Sequence, residues 1–194
     1  MPNITEDINE VAQNLRNGKV GIFPTDTAFG IGCRMDDVGA VKRVYDIRNR
    51  PEEKALLVLV NSIEMAREYV EIDDEALELI NKYWPGGLTI ILKCRKDKVP
   101  SIVRAGGDTL AVRLPDHSQL LEIIGNVGVP LVAPSANRSK EPTPFTFEKL
   151  DRQLQEEVDF VLTGVCTIKG VSTIIDVPVK PFMVVRQVVV ELNT

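Results

Sequence analysis

Apolar residues repeat along this chain at two spacings, and the alternation between the spacings predicts a mixed α/β protein. Ile4, Ile8, Val11, Ala12 and Leu15 fall three and four apart, behind Glu6 and Asp7 and ahead of Gly18, which predicts an opening amphipathic helix. Residues 19–23 are apolar and predict a strand that stops at Pro24, since proline cannot donate to a ladder. Thr25-Asp26-Thr27 then turns out of the sheet, and Gly30 and Gly32 let the backbone pass close to whatever the threonines face. Val38, Val41, Val44 and Tyr45 behind Asp36 or Asp37 predict a second helix ending near Arg48. The continuous aliphatic run 55–60 predicts a strand buried on both faces, followed by a short helix capped by Ser62.

Residues 73–83 carry Ala76, Leu77, Ile80 and Tyr83 at helical spacing until Trp84-Pro85-Gly86-Gly87 breaks the pattern, and 88–92 predict the next strand. A polar loop over 93–107 leads to an expected strand at 109–114. Residues 118–124 then predict a helix capped by His117, and 130–133 a strand that opens into Pro134-Ser135-Ala136-Asn137. A helix over 147–154 and strands at 158–162, 172–176 and 184–190 complete the pattern. The last two strands lie too close for a crossover helix, so the sheet is expected to mix parallel and antiparallel pairs.

Composition narrows the function classes. With 194 residues and 44% hydrophobic content, one domain spanning 1–194 is the expectation. Acids at Glu6, Asp7 and Glu10 do not make a leader, and the longest aliphatic run is too short for a bilayer, so a cytoplasmic protein without membrane contact is expected. Cys33, Cys94 and Cys166 are far apart in apolar surroundings and suit reduced core thiols, and His117 is the sole histidine; no metal ligands are assigned. Net charge is −5, which argues against a protein built mainly to hold a nucleic-acid backbone. Between residues 42 and 54, however, Lys42, Arg43, Arg48, Arg50 and Lys54 outnumber Asp46, Glu52 and Glu53, a focused anion site with a local net of +2.

The phosphate-loop, dinucleotide and nucleophile-elbow motifs are all missing. What remains is a set of polar strand ends. Arg48-Asn49-Arg50 offers two guanidiniums suited to clasping phosphate oxygens, or else a solvated turn paired with Glu52 and Glu53. Arg113, between Val112 and Leu114, requires an anionic partner, either an internal carboxylate such as Asp176 or a ligand carboxylate. Ser135 with Asn137, and Ser172 with Thr173, present hydroxyls and an amide at loop edges or cap those turns.

Six ordered blocks together resemble the YrdC-like family, the threonylcarbamoyl-adenylate synthases of tRNA modification. They are Pro24-Thr25-Asp26-Thr27 with Gly30; Arg48-Asn49-Arg50-Pro51; Trp84-Pro85-Gly86-Gly87-Leu88-Thr89; Ala111-Val112-Arg113-Leu114-Pro115; Ala133-Pro134-Ser135-Ala136-Asn137; and Ser172-Thr173-Ile174-Ile175-Asp176. The chain departs from the family at Arg48, usually Lys, and at Ala55, Phe29 and Lys140, usually Pro, Tyr and Gly. Its length resembles the short, single-domain members. The resemblance implies a twisted open mixed sheet, α/β in class, with helices around a concave basic cavity. It implies formation of threonylcarbamoyl-AMP and pyrophosphate from L-threonine, bicarbonate and ATP, with Mg2+ carried by ATP and a threonylcarbamoyl-transfer machinery downstream. By position in the matched blocks, Arg48, Arg50, Lys54, Thr109, Asn137 and Arg186 go to ATP, and Thr27, Arg113, Ser135 and Ser172 to threonine. No residue is assigned as acid or base, and Asp26 is read as a loop organiser. The alternatives are a double-stranded RNA-binding module, with weak RNA binding at the same concavity, and the carbamoyl-adenylate-forming domain of hydrogenase maturation.

Overall fold

The computed structural model describes residues 2–192. Among the described residues ten strands form one sheet in the order β1-β8-β2-β3-β7-β4-β6-β5-β9-β10. They are β1 (Asn3–Thr5), β2 (Gly21–Pro24), β3 (Phe29–Arg34), β4 (Leu57–Leu59), β5 (Leu88–Lys93), β6 (Thr109–Arg113), β7 (Leu131–Val132), β8 (Phe160–Leu162), β9 (Thr173–Asp176) and β10 (Met183–Arg186). The sheet is mixed: β1/β8, β2/β8, β4/β6 and β5/β9 run parallel, while β2/β3, β3/β7, β4/β7, β5/β6 and β9/β10 run antiparallel.

Six α-helices surround it: α1 (Ile8–Arg16), α2 (Val38–Arg48), α3 (Ile63–Tyr69), α4 (Asp74–Tyr83), α5 (Ser118–Val127) and α6 (Arg152–Glu157). Five of them start at a capping side chain that satisfies an otherwise orphaned N–H: Asp7, Asp37, Ser62, Asp73 and Asp151. In α5 the cap is His117, whose Nδ1 accepts from the Leu120 N–H at 3.3 Å.

Four elements differ from the periodicity. Ile4 belongs to β1 rather than to α1, because Asn3–Thr5 pairs alongside β8 and the helix starts only after Asp7. Pro24 is the last residue of β2, opposite Phe29, and the glycine-bearing stretch is strand β3. Glycine is required there by a close approach: a Cβ on Gly32 would collide with the Val132 carbonyl of β7. The expected helix over 147–154 is a 3-10 turn, Phe147–Lys149, followed by α6; Leu150 and Asp151 between them are extended, and Asp151 caps the new helix. Strand β10 stops at Arg186, after an irregularity in register between Val184 and Arg186.

Strand alternation sorts the apolar residues onto two faces. One face, with Ile22, Ile31, Val58, Ile90, Val112 and Ile175, packs in the larger core against α2 and α4. On the other, Phe23, Leu59, Leu131 and Phe160 pack against Val11, Ala12 and Leu15 of α1 and Leu120, Ile123 and Ile124 of α5. The packing of α1 and α5 on that second face reaches Leu57 and Leu59 of β4. From β4 across β6, β5 and β9 the same face forms the floor of a cavity.

Candidate active site

The cavity encloses about 310 Å³. Its floor is one face of the sheet, with Leu57 of β4, Ala111 of β6 and Ile91 of β5 in one row, Leu59 of β4 and Arg113 of β6 in the next, and Ile174 of β9 beyond them. This size falls at the lower end of ordinary small-molecule sites. Around the apolar floor the structure brings together seven of the ten residues singled out by sequence: Thr27, Arg48, Arg50, Arg113, Ser135, Ser172 and Arg186. Asn137 lines a neighbouring space of about 830 Å³ that meets the first at Thr143, which borders both. Lys54 and Thr109 line neither; Lys54 is exposed on the loop after Arg50, and Thr109 begins β6 on the same face as Ala111 and Arg113.

Arg113 is 3% exposed, and its partner is Asp26, not Asp176. The Asp26 carboxylate, itself fully buried, accepts from Nη2; Thr27 Oγ1 accepts from Nη1 at 2.7 Å, and the Gly86 carbonyl accepts from Nε at 2.9 Å. Burial pushes the Arg113 pKa down while Asp26 opposes that shift. A guanidinium carries five N–H donors; these three bonds leave two for a ligand. The hairpin loop is ordered by Thr25, whose Oγ1 accepts from the N–H groups of Thr27 and Ala28 at 3.1 and 3.2 Å. Asp26, expected from sequence to organise its loop, also balances Arg113. Its signal was there: a strand arginine that needs an anion, and a carboxylate held at a buried turn.

Arg48, the last residue of α2, is 5% exposed and has no carboxylate partner among the described residues. Its Nε donates to the Asn137 carbonyl at 2.9 Å and Nη2 to Ser135 Oγ at 3.4 Å, while Nη1 is buried with no partner. Burial, with the Arg50 charge beside it, pushes Arg48 down to about 10. Asn49 adopts a left-handed conformation, φ 48°, that turns the chain so that Arg50 reaches the same cavity. Arg50 is anchored through Nε to the Lys54 carbonyl at 3.1 Å and through Nη2 to the Ala55 carbonyl at 2.8 Å. The alternative of a turn neutralised by Glu52 and Glu53 is not what forms: Glu52 pairs with Lys42 at 3.2 Å. Arg186 donates from Nε to the Ser172 carbonyl at 2.9 Å and from Nη2 to Ser172 Oγ at 3.2 Å; burial lowers its pKa as well. Among the described residues four guanidiniums thus meet one carboxylate, an excess of three positive charges around a mostly apolar floor.

Asn137 turns its amide into its own loop, Nδ2 donating to the Arg138 and Glu141 carbonyls at 2.8 and 2.9 Å, and leaves Oδ1 buried without a partner. All three cysteines are buried free thiols, and burial raises Cys166 to about 11. Among the described residues no three His, Cys, Asp or Glu side chains cluster in a way that could hold a metal ion, and no helix is long and apolar enough to cross a membrane.

A sheet face floored with aliphatic residues and ringed by arginines at the ends of α2, β6 and β10 and on the loop after α2 defines an α/β protein with a cationic cavity. Residues 13–188 match the Sua5/YciO/YrdC family model, described as telomere recombination, and the chain belongs to that family. The threonylcarbamoyl-AMP synthase of Bacillus subtilis is 35% identical over 178 residues, covering 89% of this chain and 51% of that protein. That of Vibrio parahaemolyticus is 32% identical over 162 residues, 82% of this chain and 87% of its own length. Pyrococcus abyssi Sua5, solved in complex with L-threonine, superimposes with a TM-score of 0.89 at 31% identity, over 96% of this chain and 57% of that one. The chain therefore spans about half the length of the Bacillus and Pyrococcus relatives and most of the Vibrio one.

Proposed function

We propose that this protein is an L-threonylcarbamoyladenylate synthase. The threonine amine takes up bicarbonate to give the N-carboxylate with loss of water. An oxygen of that carbamate then attacks the α-phosphorus of ATP, and pyrophosphate leaves. The observation that carries the reading is the charge arrangement of the cavity. Its excess of positive charge suits a strongly anionic pair of ligands: MgATP, which brings two negative charges, and an amino acid that carries a carboxylate and, once formed, a carbamate.

Each residue has a role in this reading. Arg113, with two N–H donors uncommitted, takes the threonine carboxylate beside Thr27 and Ser172, and Ser135 completes that end. Arg48, Arg50 and Arg186 hold the phosphates, with the buried Nη1 of Arg48 directed to an oxygen; Asn137 serves ATP from the neighbouring space, and Lys54 and Thr109, which line neither space, serve it where it extends beyond the cavity. Magnesium enters as part of the nucleotide substrate. Rate enhancement comes from holding two anions in line and from fixed donors at the phosphates, neither of which needs a histidine. Supporting the reading further are the 35% and 32% identities to two threonylcarbamoyl-AMP synthases. The product is a mixed anhydride, so a transfer system that moves the threonylcarbamoyl group to tRNA is the expected consumer. Threonine-dependent pyrophosphate release from ATP in bicarbonate buffer tests the proposal; release that ignores threonine overturns it.

A further inference from the structure

The Trp84 to Thr89 stretch is left without a role by the ligand contacts above, yet Gly86 and Thr89 bond Arg113 and Ser172, which line the cavity. Trp84 Nε1 donates to the Leu88 carbonyl at 2.7 Å and closes the turn. Inside that turn the Gly86 N–H bonds the Leu114 carbonyl at 2.9 Å, the Gly86 carbonyl receives Arg113 Nε, and the Gly87 carbonyl receives the Thr173 N–H at 3.0 Å. Thr89 follows on β5. It is fully buried, it shares the strand face of Ile91, and its Oγ1 donates to Ser172 Oγ at 2.9 Å.

Ser172 Oγ therefore accepts from Thr89 on one side and from Arg186 Nη2 on the other. A hydroxyl has two lone pairs and one proton. Both lone pairs are used, and among the described residues the Ser172 proton has no acceptor, although the side chain borders the cavity. We infer that Thr89 is a positioning residue: its hydroxyl commits Ser172 to act as a hydrogen-bond donor, so that this point of the cavity selects an acceptor oxygen, the carboxylate or carbamate oxygen of the amino acid. This assignment rests on the proposed function for the identity of the ligand. It gives the buried threonine a chemical reason, since a valine of the same shape would leave Ser172 free to rotate and to present a lone pair instead.

The test measures L-threonine binding by calorimetry in the presence of MgATP, with steady-state pyrophosphate release alongside, for wild type, Thr89→Val, Thr89→Ser, Ser172→Ala and the Thr89→Val/Ser172→Ala double variant. Thr89→Val is expected to weaken threonine binding about tenfold, the scale of one ligand hydrogen bond, and to leave the KM for ATP within about twofold. Thr89→Ser restores the hydroxyl and most of the affinity. In the Ser172→Ala background Thr89→Val has no further effect, because the residue through which it acts is gone. Threonine affinity unchanged in Thr89→Val, a Thr89→Ser variant as weak as Thr89→Val, or additive losses in the double variant each overturn the inference and leave the proposed function standing. A wild type that binds L-threonine but releases no pyrophosphate with it overturns the function alone, and the affinities still decide the role of Thr89. A wild type that binds no L-threonine overturns both.

Discussion

The ion pair between Asp26 and Arg113 is where the fold and the site meet, and Asp26→Asn isolates it. The substitution keeps the shape of the side chain and removes its charge, leaving a guanidinium that is 3% exposed with no counter-ion. Removing one member of a buried pair costs about 3–5 kcal/mol, because the remaining charge stays desolvated. At about 2–4 °C per kcal/mol for a chain of this size, the unfolding midpoint should fall by roughly 6–20 °C. The same reasoning predicts an asymmetry on ligand binding. L-Threonine with MgATP supplies a carboxylate to Arg113, so saturating substrate should raise the midpoint of Asp26→Asn by several degrees more than that of wild type. Thermal unfolding followed by circular dichroism, with and without substrates, reads both effects. A midpoint within about 2 °C of wild type would show that Asp26 does not balance Arg113, and equal substrate shifts would show that the ligand carboxylate does not reach it.

Three further outcomes are expected. Arg50→Lys keeps the charge but loses the fork that holds the Lys54 and Ala55 carbonyls, so steady-state turnover should fall on the order of 10²-fold, whereas Arg48→Lys, which restores the residue usual in the family, should be nearly silent; the reverse pattern would exchange their roles. Serine should be a poorer substrate than threonine by about fivefold in kcat/KM, the value of one methyl against the aliphatic floor, and equal rates would show that the methyl is not read. Burial lowers the His117 pKa below 6.5 and its Nδ1 accepts the Leu120 N–H, so the folded state favours neutral imidazole. The unfolded chain then binds the proton more readily, and stability should fall as pH drops through 6.5 toward the folded-state pKa. His117→Asn, a cap without that titration, should lose less on going from pH 7 to pH 5; identical midpoint losses would remove the histidine from the account.

Most helices were legible because their signals are local. Asp37, Ser62 and Asp73 sit next to the apolar repeats they cap, and a cap and its helix are close in sequence. Strand β1 was not legible for the opposite reason: Ile4 fits a helix until the distant β8 pairs with it. Strand β3 was missed although its partner β2 is its neighbour in sequence, because Gly30 and Gly32 supply no strand pattern of their own. The arginines of the cavity could be nominated from their apolar neighbours, but their partners could not. Arg113 meets Asp26 across 87 positions and Arg48 meets Ser135 across 87, contacts that only the sheet order creates. The apolar floor is not legible as a site, since the run 55–60 looks like any strand buried on both faces, and only the structure shows Leu57 and Leu59 bordering a cavity as well as the α1 and α5 core.

The most direct measurement of the central claim is pyrophosphate release by the purified protein with ATP, magnesium, L-threonine and bicarbonate, each omitted in turn. The account predicts release only when all are present, together with a threonine-containing adenylate whose carbamate carbon takes label from ¹³C-bicarbonate. Pyrophosphate released at an equal rate without threonine, or an adenylate that carries no label, would contradict it.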